Sequence, residues 1–69
     1  MAGVPKVTVS GNHRVLVENY RELTKYSREL IEINGGRTVV RIHGENMEIT
    51  AMRRVDIMIT GQIFSAEFE

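Results

Sequence analysis

Apolar residues recur at every second position through most of this chain. Val7 and Val9 alternate with Thr8 and Ser10, Val15 and Val17 with Arg14 and Glu18, and Ile57 and Ile59 with Asp56 and Thr60. Ile31 and Ile33 flank Glu32, Val40 and Ile42 flank Arg41, and Met47 and Ile49 flank Glu48. A two-residue period puts one row of side chains indoors and the other in water, which predicts strands. Between these runs lie Ser10-Gly11-Asn12, Asn34-Gly35-Gly36, His43-Gly44-Glu45-Asn46 and Thr60-Gly61-Gln62. Such residues supply the positive φ angles of tight turns. Residues 20–27 are less regular and would make only one or two helical turns without a good cap, so they read as a strand and a turn. The whole predicts an all-β domain of about seven or eight short strands, each about four to six residues long.

Two arrangements fit that pattern. The motif apolar-x-apolar-x-Gly occurs at 7–11, 31–35, 40–44 and 57–61, with glycines 24, 9 and 17 residues apart. The uneven spacing favours an antiparallel meander or sandwich over a short β-solenoid, whose corners would also be marked by turn glycines. Val, Ile and Thr supply 8, 7 and 5 residues against three each of Leu and Ala. That usage supports strands, because β-branched side chains fit a pleated sheet.

Size and charge narrow the function classes. The 69 residues allow one small domain, and with no cysteine and only two histidines neither a disulfide nor a structural zinc site can staple it. Such a chain must pack very well or bury apolar surface against a partner. Nine basic and nine acidic groups give zero net charge, +2 over residues 1–37 and −2 over residues 38–69. A dedicated nucleic-acid binder would carry a basic stripe instead. No apolar run exceeds three residues, as in Val15-Leu16-Val17, too short to span a membrane, and residues 1–10 lack the basic start and apolar block of a signal peptide.

The inventory for catalysis is poor. His13 and His43 each sit beside a turn glycine, and Glu18 or Glu45 could join them on a metal, but nothing gives ligand spacing and solvated turn histidines are the simpler reading. No Gly-x-Ser-x-Gly elbow surrounds Ser10, Ser27 or Ser65, and Asn34-Gly35-Gly36 lacks the Lys-Ser/Thr and the helix of a phosphate loop. No catalytic residue, metal, cofactor or small-molecule substrate is therefore expected. Arg53-Arg54 could dock an acidic partner, although a solvated turn with Arg54 close to Asp56 explains it more simply. Tyr20-Arg21 and Lys25-Tyr26 mimic the aromatic and basic interleaving of nucleic-acid platforms. A small nucleic-acid-binding β-barrel is accordingly the alternative reading, with core or interface packing the plainer account of the aromatics.

The strongest physical hint concerns assembly. Ile57-Met58-Ile59, Val15-Leu16-Val17 and Val39-Val40 are apolar on both faces. In so small a domain this implies a two-layer interior or a buried face between subunits. Leu16 and Met58, with Val39 and Phe64 near them, form the candidate interface, and a homo-oligomer is expected.

Taken together, Pro5-Lys-Val-Thr-Val9 with Gly11, and His13-Arg-Val-Leu-Val-Glu-Asn19, resemble the YabP/YqfC family of sporulation proteins of endospore-forming Firmicutes. Tyr26-Ser27, Glu29-Leu-Ile-Glu-Ile33, Val40-Arg-Ile-His-Gly44, Met47-Glu-Ile49, Ile57-Met-Ile-Thr-Gly-Gln-Ile63 and Phe68 extend the resemblance over residues 5–68. The valine-rich strand ending in Glu18-Asn19 is closest to the YqfC branch. The resemblance implies a mother-cell protein with no known enzymatic activity or cofactor. It also implies a membrane-associated sporulation protein as partner, and a location in the cytoplasm or at a membrane surface. Family members usually carry a basic amphipathic segment ahead of the region that starts here at Pro5; residues 1–4 read as a trimmed start.

Overall fold

A computed structural model describes residues 4–69; most of the four-residue start set apart above lies outside the described residues. The strands are β1 (Lys6–Ser10), β2 (Arg14–Glu18), β3 (Glu22–Tyr26), β4 (Leu30–Asn34), β5 (Val39–Met52) and β6 (Asp56–Phe68). They form one sheet in the order β1-β2-β6-β5-β4-β3, with every neighbour antiparallel. The expected all-β, antiparallel class is thus observed, with β3 to β6 running as a meander and β2 pairing with β6 instead of β3, and the antiparallel pairing removes the solenoid.

Six strands stand where seven or eight are expected, because two predicted turns do not reverse the chain. His43-Gly44-Glu45-Asn46 lies inside the 14-residue β5, and Thr60-Gly61-Gln62 inside the 13-residue β6. The β5–β6 register shifts between His43 and Gly44 and again between Glu45 and Glu48. Such bulges bend a strand without ending it. Asn46 (φ 52°) and Gly61 (φ 146°) adopt positive φ there. The segment 20–27 does contain a strand, β3.

The bend folds the long hairpin over itself. On one side, residues 56–60 of β6 and 48–52 of β5 continue into β2 and β1. On the other, residues 39–43 of β5 and 65–68 of β6 continue into β4 and β3. Each half contributes its inward row to one core: Val15, Val17, Ile57 and Ile59 from the first, Ile31, Ile33, Val40 and Ile42 from the second, with Met47 and Ile63 at the bend. All ten are buried, and among the described residues no polar or charged one is. Val7, Tyr20, Leu23, Ile49 and Ala66 pack around them.

Residues 19–21 cross between the halves at the end away from the bend. The Asn19 amide donates to the Val55 carbonyl at 2.6 Å and the Arg21 amide to the Asn34 carbonyl at 2.8 Å. The Tyr20 hydroxyl donates to the Arg53 carbonyl at 2.7 Å. The crossing therefore ties the first half-sheet to the second through its own backbone and one phenol.

Candidate interaction surfaces

The outer faces of the two halves differ in chemistry. On the first, Leu16 of β2 stands directly opposite Met58 of β6, and Met58 opposite Ala51 of β5. Leu16 and Met58 are half-buried with no buried layer outside them. Cross-strand apolar pairs on an outer face stabilise the sheet modestly and leave an apolar spot in water.

The second half wears a polar row across four strands. Arg41 on β5 reaches Glu32 on β4 (Nε to Oε1, 3.0 Å) and Glu69 beyond β6 (Nη1 to Oε2, 2.6 Å). Glu32 also accepts from the Thr24 hydroxyl of β3 at 2.9 Å. The Thr24 hydroxyl first, and then Arg41, hold the Glu32 carboxyl below its ordinary 4.5. Arg41 does the same for Glu69, and both carboxylates keep the guanidinium firmly charged, Glu69 foremost. Beside this row His43 Nε2 lies 3.5 Å from Glu67 Oε1.

Leu16 and Met58 therefore come together as the sequence places them, whereas Val39 and Phe64 lie on the second half-sheet. Val39 exchanges both backbone hydrogen bonds with Glu69 at the end of that half. Phe64 sits beside the register shift near His43 and is 58% exposed. The bend in β6 between Met58 and Phe64 separates the two pairs.

The remaining candidates are dispersed. Arg53, not Arg54, pairs with Asp56, through two bonds of 2.8 and 3.0 Å, because the tight turn ends at Asp56 with the Arg53 amide on its carbonyl. Asp56 holds the Arg53 guanidinium above its ordinary value. Tyr20 points inward to that turn, while Tyr26 at the far end of β3 is exposed and its hydroxyl accepts from the Ile49 amide at 3.5 Å. Arg21 lies along Gly36. The described residues contain no group of three or more His, Asp or Glu placed to hold a metal ion, and Glu18 is paired with Lys6 and Asp56 on the first half, away from His43. Among the described residues no helix is long and apolar enough to cross a membrane.

Sequence reasoning missed the strand edges. Val9 and Phe68 both belong to inward rows, opposite Val15 and Val40, yet are 46% and 54% exposed. Alternation alone assigns a face; it does not say that β1 and the end of β6 have only one neighbour each.

The YabP family model matches residues 2–69 of the chain. Comparison with curated proteins and with solved structures returns no match.

Proposed function

The chain belongs to the YabP family, and from that premise we propose that it is a non-enzymatic interaction domain acting in spore formation. In this reading it sits with the YqfC branch and works in the mother-cell cytoplasm or at a membrane surface. It assembles with itself or with a membrane-associated sporulation protein. The observation that carries the assembly is the outer face of the first half-sheet, where Leu16 and Met58 face each other across the strands. The buried core is apolar without them, so these side chains remain available to a partner surface.

Deleting the gene in its host and counting heat-resistant spores tests the reading. Spore counts should fall, recover with the wild-type gene, and stay low with Met58→Asp although that variant folds. Unchanged counts in the deletion strain refute a role in sporulation.

A further inference from the structure

Open strand edges are where one sheet can continue into another, and the hydrogen-bond pattern shows which backbone groups are free. In an antiparallel ladder, residues alternate between facing one neighbour and facing the other. On β2 the His13 carbonyl accepts from the Gly61 amide, and the Asn19 amide donates to the Val55 carbonyl, so odd-numbered residues face β6. Arg14, Leu16 and Glu18 thus face β1, and their partners Ser10, Thr8 and Lys6 face back. Val7 and Val9 are left with N–H and C=O pointing away from the sheet.

The same logic applies at the end of β6. Val39 and Glu69 exchange both backbone bonds, so Glu67 and Ser65, opposite Arg41 and His43, face β5. Ala66 and Phe68 then point their backbone groups outward. The β1–β2 turn covers β6 only as far as Ile63, whose amide donates to the Asn12 carbonyl. Within one chain β1 and the end of β6 lie apart and do not pair, so the two edges do not satisfy each other.

The other two edges are blunted. β3 carries a register shift between Leu23 and Lys25, and the Thr24 hydroxyl there folds onto the Glu32 carbonyl at 3.0 Å. Residues 48–52 of β5 lie in a stretch with repeated register shifts, and the Tyr26 hydroxyl caps the Ile49 amide. Bulges and capped amides are how proteins discourage strand addition.

We infer that β1 of one copy pairs antiparallel with the end of β6 of a second copy. One register joins all the free groups: Val7 opposite Phe68 and Val9 opposite Ala66. It also sets Lys6 opposite Glu69 and Thr8 opposite Glu67 on the polar face, and places the exposed Val9 beside Ala66 and Phe68 on the apolar face. Neither self-pairing does as well. Joining two β6 ends through Ala66 and Phe68 sets Glu67 against Glu67, and joining two β1 strands through Val7 and Val9 brings no opposite charges together. Charge complementarity therefore selects the unlike pair of edges. The inference rests on the reading above only in that the chain assembles with itself; it uses the strand edges and not the outer face of Leu16 and Met58. Because the two edges differ, a joined pair keeps one of each free, and the contact propagates head to tail into a ring or filament. A single added strand buries less than the roughly 800 Å² per partner of a stable complex, so the association depends strongly on concentration.

Sedimentation from micromolar to millimolar protein, with proline placed on either edge, tests this. Val9→Pro and Ala66→Pro each remove an outward amide that has no partner within the chain. Each alone should reduce association at least tenfold. An equimolar mixture should form a 1:1 complex, because each variant retains the edge the other lacks. Lys6→Glu, which leaves the backbone untouched, should weaken association at least threefold and carries the test if a proline variant fails to fold. Wild-type-like association of Val9→Pro or of Lys6→Glu, or a mixture of folded proline variants that stays monomeric, overturns the inference. If the proline variants assemble normally while Met58→Asp does not, assembly through the outer face stands and the edge pairing falls. A wild-type chain that stays monomeric to millimolar concentration removes self-assembly altogether.

Discussion

Replacing Gly44 by alanine should cost this domain a large part of its stability. Gly44 is buried where β5 and β6 bend together, opposite Ile63. A Cβ added there would collide with the Gln62 backbone oxygen and stand 2.9 Å from the Met47 sulfur. Methionine could swing aside, but the carbonyl belongs to the paired strand and can move only if the bend opens. Overpacking against side chains typically costs about 1–3 kcal/mol, and a backbone obstacle puts Gly44→Ala at the upper end, about 3 kcal/mol. A chain of this length has a total stability on the order of 3–10 kcal/mol. Using about 2.1 cal/mol/K of unfolding entropy per residue, 1 kcal/mol corresponds to about 7 °C, so the melting point should fall by about 20 °C. Thermal melts by circular dichroism give the number. Gly11→Ala serves as the comparison: Gly11 has φ 60° and its added Cβ meets only the mobile His13 ring, at 3.0 Å. The left-handed conformation alone costs about 1–2 kcal/mol. A Gly44→Ala melting point within 5 °C of wild type, or above that of Gly11→Ala, would refute the tight bend and with it the packing of one half-sheet on the other.

Two further outcomes follow from the polar contacts. Glu32 and Glu69 have carboxyl groups lowered in the folded chain by Thr24 and Arg41 and by Arg41 respectively. Their contribution to stability is present above the ordinary value of 4.5 and is lost as pH falls through the lowered values. Melting points should therefore decline as the solution is acidified below about pH 4.5, and less steeply in Glu32→Gln; equal slopes in the two proteins would remove Glu32 as a cause. Tyr20→Phe deletes the hydroxyl that joins the crossing segment to the Arg53 carbonyl. Denaturant titration should show a loss of about 1 kcal/mol with an unchanged m-value, and a neutral result would mean that water replaces the bond at no cost.

Glycine carries two meanings that a sequence alone does not separate: a chain reversal and a close approach between backbones. At Asn34-Gly35-Gly36 the first meaning holds, with the Gly36 amide on the Asn34 side-chain oxygen at 2.8 Å. At Gly44 and Gly61 the second holds, since a Cβ on Gly61 would come within 2.7 Å of the Met47 Cα. The inward rows were legible because alternation survives bending: Val15, Ile31, Val40 and Ile57 fall in the core whichever meaning the glycines take. Positions relative to one another were legible only where no bend intervenes. Leu16 and Met58 meet because both lie on straight stretches before Gly61, whereas Phe64, six residues beyond Met58, is carried to the other half. The β5–β6 turn was legible at Arg53-Arg54 for a different reason, although with Arg54 in the place of Arg53 as the partner of Asp56. It contains neither glycine nor asparagine and is held by the Arg53–Asp56 pair, so its signal was charge spacing and not turn chemistry. The edge at Ala66 and Phe68 has another origin: β2 is five residues long, and its turn reaches along β6 only to Ile63. The short hairpin that closes one side of the core thus also leaves the end of β6 open to a neighbour.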